Sequence, residues 1–265
     1  PRRPRGTPGT PAATALLATL PDIPRALTGR AEWLACLVYV LLRRPRLPRA
    51  RLVALAVVAL AAQVGVQALA DLLPRQLWTV GMAAAVACMY GFIVAAARVS
   101  ARDAGFFAAR ALVLAELVAA LHWQVHCFFF LPDGRPGTAW QVAFFVLVYA
   151  VGYGVAYVVE SRHFRPGQEL DVTVGELASA VAIALVTFFM SNISFLNANT
   201  PFSGRLGLEI FYIRTLVDLC GFVALYAQQG QRLQHQARAA VRALAEMLRR
   251  RDEESLQATR ARRRG

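Results

Sequence analysis

The chain contains no lysine; all 29 of its basic residues are arginine, a usage read as codon bias without physical meaning. Charge is scarce altogether, at 17% of residues against 57% hydrophobic. A soluble domain of this length carries its apolar residues on one side of short amphipathic segments, and that pattern is missing. Proline is almost absent from the interiors of the apolar runs and no internal repeat is apparent. Both absences argue against the broken helices and repeated halves of many transporters. None of the four cysteines, Cys36, Cys88, Cys127 and Cys220, forms a CxxC pair, which excludes zinc-ribbon and redox motifs and leaves buried small hydrophobes. No Walker-type phosphate loop, nucleophile elbow, HExxH pair or glycine-rich nucleotide lid occurs. The chain alone is therefore not expected to be an enzyme, and no cofactor or metal is assigned to it.

What remains is a succession of long apolar runs, at about 25–42, 52–73, 77–97, 107–130, 139–159, 174–192 and 207–228. Most reach the ~20 residues needed to cross a ~30 Å hydrocarbon core. The expected fold is an all-α integral membrane protein, a bundle of about seven transmembrane helices followed by a cytoplasmic coiled-coil-like helix. The first run is the weakest, because WLACLVYVLL covers only half the distance and Arg25, Arg30 and Glu32 are expected at the interface or snorkelling. Without it, six spans would remain.

Arginine placement sets the orientation. The loops after the first, third and fifth runs hold ten arginines (43, 44, 46, 49, 51, 98, 102, 110, 162 and 165), against Arg75, Arg135 and Arg205 on the other side. The first set is expected in the cytoplasm, with the carboxyl terminus there too, in the plasma membrane. Three arginines in PRRPRGTPGT disagree with an external amino terminus; that segment, 1–24, is read as disordered. The net charge of +13 does not require nucleic acid, since a lipid bilayer accounts better for arginines between apolar runs. The first residue is Pro, so the true start is expected to be missing, and ATALLATL (13–20) is too short for a cleavable signal.

Beyond the bundle of 25–228, residues 229–258 place Leu233, Ala237, Val241, Leu244 and Leu248 three or four apart. This helical stripe is compatible with pairing of two copies. An arginine-rich tail, 259–265, closes the chain.

The seventh run carries charges that a bilayer resists, at roughly 2.5–3.5 kcal/mol each near the centre. Arg214 and Asp218 are four residues apart and share a helix face. Counting 1.5 Å per residue from the inner ends sets Asp218 at the depth of Glu116 in the fourth run. Arg214 is expected to bridge the two carboxylates, either as a structural ion pair or as a signal-coupling switch. Glu209 suits the dipole at a helix start and needs no functional role. His122 and His126 share a face and make a weak metal pair that lacks a third ligand. His163 and His235 stand without a supporting motif. The outer loop SNISFLNANTPFSG, with Asn192, Asn197 and Asn199, is rich in turn-forming residues. It is also the candidate for receiving an external stimulus, such as a small ligand or peptide.

The order EWLAC (32–36), FFMSNISFLNANTPFSG (188–204) and EIFYIRTLVDLCGFVALYAQQ (209–229), followed by a charged helix, resembles the membrane input region of bacterial GHKL-type sensor histidine kinases. The resemblance covers roughly residues 25–250. It implies a membrane sensor feeding a signalling helix, with homodimerisation through that helix and a kinase domain or response regulator as partner. After Leu248 the chain departs from the family: the phosphoacceptor and nucleotide-binding motifs are not in these 265 residues, so no catalytic residue carries over. The chain then reads as a fragment, a truncated product or a stand-alone sensor. A small transporter or channel is the alternative, using its intramembrane charges as a solute or proton path.

Overall fold

A computed structural model describes residues 23–74, 77–130, 139–164, 170–192 and 207–264. Seven helices follow in order: α1 (Arg25–Leu41), α2 (Arg49–Asp71), α3 (Trp78–Ala96), α4 (Ala101–Phe130), α5 (Ala139–Ser161), α6 (Val174–Ser191) and α7 (Gly207–Arg264). No strand forms among the described residues, and the single β-bridge joins Pro45 to Ala97. Local chemistry sets several starts. Pro24 and Pro48 occupy the caps of α1 and α2, where a missing N–H costs nothing. The Ser100 hydroxyl accepts the Asp103 N–H at 3.1 Å at the head of α4. Thr173 and Glu176 form a reciprocal capping box on α6, satisfying two otherwise unpaired donors.

Five helices, α2 to α6, are long and apolar enough to cross a membrane. At 17 residues, α1 is about 25 Å long, short of the ~30 Å hydrocarbon core. The packing is inside-out relative to a soluble bundle. Along α2 the buried positions are Ala59, Gln63, Gln67 and Ala70, while Val53, Val57, Val58 and Leu69 are exposed. In α5, Tyr149, Tyr153, Ala156 and Glu160 face in, while Val142, Val146, Val151 and Val155 face out. A valine surface over a polar interior is stable only where lipid replaces water. The protein is a multi-pass helical membrane protein on this pattern.

Helix α4 is the centre. From Ala108 to Ala120 only Leu117 escapes burial, as expected of a helix enclosed on all sides. It packs against α1, α3, α5 and α6. Helix α1 also packs on α2, tied by the Trp33 indole N–H to the Ala56 carbonyl at 2.8 Å, and the Tyr153 hydroxyl of α5 reaches the Ala31 carbonyl at 2.7 Å. The chain divides into two compact units, Pro1–Val223 and Ala224–Gly265. In the second, Val241, Leu244, Met247 and Leu248 are exposed, and the helix extends to Arg264 instead of ending near 258.

Helix α7 meets Thr187 of α6 at Gly221. A Cβ added there would meet Thr187 Oγ1 first and would lie 2.6 Å from Thr187 Cγ2 and 2.9 Å from its Cβ. Thr187 is β-branched and buried, so its side chain cannot swing clear and the helices must part. Gly221→Ala is expected to destabilise by about 1–3 kcal/mol, as overpacking does, with Thr187→Ala restoring most of it. Thermal unfolding in detergent of the single and double variants checks this; a Gly221→Ala protein as stable as wild type would refute the contact.

Candidate functional site

Three polar clusters sit among apolar helices in the bundle. The first joins α4 to α7: Arg214 Nη2 lies 2.6 Å from Glu116 Oε2, with the side chains 7% and 4% exposed. The same face of α7 turns Asp218 inward, while Tyr212, Ile213, Leu216 and Leu219 are exposed. Thr215 adds a hydroxyl bond to Gln124 of α4 at 2.8 Å. The expected three-way bridge is corrected here. Arg214 engages Glu116, whereas Asp218 is fully buried and neither of its carboxylate oxygens accepts a hydrogen bond. The buried Ser191 hydroxyl is the neighbour placed to donate to Asp218. A cavity of about 10 Å³, lined by Glu116, Arg214, Arg25, Thr28 and Asn192 among others, offers room for one water beside the pair.

The second cluster was missed in the sequence. Glu32 does not snorkel: it is 0% exposed and accepts two amide hydrogen bonds, from Gln63 Nε2 at 2.6 Å and Gln67 Nε2 at 2.7 Å. A carboxyl group in lipid needs its oxygens satisfied, and α2 supplies both donors from one face because 63 and 67 are four apart. Arg30 is exposed and Arg25 pairs with Asp71 at 3.5 Å, as an interfacial location requires.

The third cluster lies nearer the arginine-rich end. Arg110 Nη2 is 2.5 Å from Glu160 Oε1, both side chains being essentially inaccessible. The Tyr39 hydroxyl donates to the same oxygen at 3.3 Å. Phe164 stacks over the Arg110 guanidinium, 5.3 Å from its ring centroid. Arg110 was counted as a loop arginine, but it sits inside α4 and belongs to this ion pair. Without it the arginine bias becomes nine against three (ten less one), which leaves the orientation argument standing.

The other sequence candidates separate as follows. The His122 and His126 rings are 5.7 Å apart, and His122 is buried among Phe144, Phe145 and Tyr149. No group of three metal-ligating side chains exists among the described residues. Asn192 ends α6 and donates to the Phe188 carbonyl at 2.9 Å; Asn197 and Asn199 lie outside the described residues, as do residues 1–22. Glu209 stands in the first turn of α7. His163 approaches the Val159 carbonyl at 3.4 Å. Cys36 is buried as expected, but Cys220 is exposed on the apolar face of α7.

The arrangement defines a class: a polytopic helical membrane protein whose bundle is cross-linked by buried ion pairs and carboxyl–amide hydrogen bonds. No family model, curated protein or solved structure matches the chain.

Proposed function

We propose that the chain is the membrane-embedded sensory module of a signal-transducing protein, as the resemblance to GHKL-type sensor histidine kinases implies. In this reading all seven helices cross the plasma membrane, the arginine-rich loops face the cytoplasm and α7 leaves the bilayer on that side. The observation that carries it is Arg214, which pairs with Glu116 of α4 from a helix unbroken from Gly207 to Arg264. A ligand, peptide or membrane stress arriving at the Asn192 end would favour one of two packings of α7 on α4. Asp218, buried without a hydrogen bond, is the ready alternative partner for Arg214, which gives the second packing its chemistry. The exposed stripe of Val241, Leu244 and Leu248 would pair two copies and pass the change to a kinase domain or response regulator.

Single cysteines at Val241, Leu244 and Leu248, in a background without the native cysteines, should crosslink between copies in membranes with helical periodicity. Glu116→Gln should change those rates several-fold. Unchanged rates at every position, with the variant inserted at wild-type level, would refute the coupling. The rival small transporter would use Glu32, Glu116 and Asp218 as an ion path; proton or solute flux in liposomes would favour it.

A further inference from the structure

At the end of the bundle opposite Asn192 lies a cavity of about 590 Å³, lined by Arg43, Arg44, Arg46, Arg98 and Arg102 together with Asp103 and Asp171 among others. Its walls come from three chain segments held by specific bonds. The α1–α2 and α3–α4 loops pair as a two-residue antiparallel clip, with the Arg46 N–H donating to the Ala96 carbonyl and the Arg98 N–H to the Arg44 carbonyl, both at 2.9 Å. The third segment is tied by the Val172 N–H to Asp103 Oδ1 at 3.1 Å. Asp171 adopts a φ of 44° there, a left-handed conformation that Asp tolerates better than most residues.

The arginine bias of membrane loops accounts for the number of these charges but not for their arrangement. Loop arginines serving topology alone would have no need to share a cavity; here five line one space. Arg43 is buried, its guanidinium 4.9 Å over the Phe107 ring and 5.4 Å over that of Phe164. Such stacking fixes the plane of the cation. Arg44, Arg46, Arg98 and Arg102 are exposed and form no salt bridge among the described residues. Among the described residues, five guanidinium groups against two carboxylates leave an excess of three positive charges (5 − 2) in the lining, and Asp103 also accepts a backbone hydrogen bond.

We propose that this cavity binds an anion carrying two or more phosphoryl groups, gripped by forked arginine side chains. Arginine matches phosphate oxygens two at a time, a single phosphate carries at most about two charges against the three in excess, and the volume falls in the ~300–1,000 Å³ range of ligand pockets. The N-terminus of α4 at Ser100–Asp103 adds a favourable dipole end. The cavity lies at the ends of the candidate spans Arg49–Asp71, Trp78–Ala96 and Ala101–His126, where both a diphosphate headgroup and a soluble diphosphate could reach it. Nothing in this proposal depends on signalling.

The test uses the purified full chain in nanodiscs with two probes: inorganic pyrophosphate over phosphatidylcholine, and cardiolipin, a lipid with two phosphates, replacing part of the phosphatidylcholine. Saturable thermal stabilisation by pyrophosphate identifies a soluble ligand, and stabilisation by cardiolipin a lipid one. Arg44→Gln with Arg98→Gln removes two guanidinium groups while leaving the backbone clip intact, and should weaken the effective probe about tenfold or more. Arg249→Gln with Arg250→Gln, an equal charge change outside the cavity, should alter it less than about twofold. Absence of saturable binding by either probe, or equal weakening in the two double variants, would overturn the proposal.

Discussion

Arg110→Ala is expected to remove roughly 3–5 kcal/mol of stability, the cost of leaving one member of a buried ion pair uncompensated. Whole domains are stable by only about 5–15 kcal/mol, so little folded protein should remain. Glu160 would keep the Tyr39 hydroxyl but lose its counter-charge in a site from which solvent is excluded. Neutral hydrogen bonds between membrane helices average only about 0.6 kcal/mol, so the ion, rather than the geometry of one bond, dominates this loss. Replacing both partners, Arg110→Met with Glu160→Met, removes the charge imbalance and should be far milder, since apolar substitutes for buried pairs are often neutral. Unfolding in mixed detergent resolves the two. An Arg110→Ala protein as stable as the double variant would refute the argument.

A second large effect is expected at α7, with an asymmetry between two residues one turn apart. Arg214→Leu leaves Glu116 and Asp218 buried and should cost about 3–5 kcal/mol. Asp218→Asn removes a carboxylate that accepts no hydrogen bond and should be neutral or stabilising, because an unsatisfied buried acceptor carries a penalty that the amide reduces. If Asp218 is held as the second partner of Arg214, the same change should also fix the crosslinking pattern of the carboxyl-terminal helix in one state. Measuring unfolding and crosslinking on one pair of samples separates these effects. The opposite order of stabilities would show that Asp218, not Glu116, is the working partner.

The helix ends most legible in the sequence are those where the apolar run and the helix coincide: α1, α3, α5 and α6 end within two residues of the limits read from hydropathy. Helices α2 and α4 begin earlier than the runs, because Arg49, Arg51 and Arg102 look like loop while Pro48 and Ser100 are already caps. Residue counting set Glu116 level with Asp218 and about one turn from Arg214, and it is Arg214 that Glu116 contacts. It could not show that Asp218 stands apart, since that depends on the rotation of α7 and not on depth. Glu32 with Gln63 and Gln67 was invisible for another reason: glutamine carries no charge, so a search for charges in apolar runs passes over it. Arg110 with Glu160 was missed because each lies near the end of its run and resembles a boundary residue, and the two are 50 positions apart. The basic cavity needed the Pro45–Ala97 clip, and no feature of either short loop announces the other.

The outward valines and inward glutamines of α2 have a consequence for how this molecule fails. Its apolar exterior gains nothing from helix association, because hydrocarbon chains solvate valine as well as a neighbouring helix does. Cohesion rests on the core's polar bonds, and water competes for those where lipid cannot. Seepage of solvent along the Glu32 line, not the stripping of lipid from the outer face, is then the event that lets the helices drift apart.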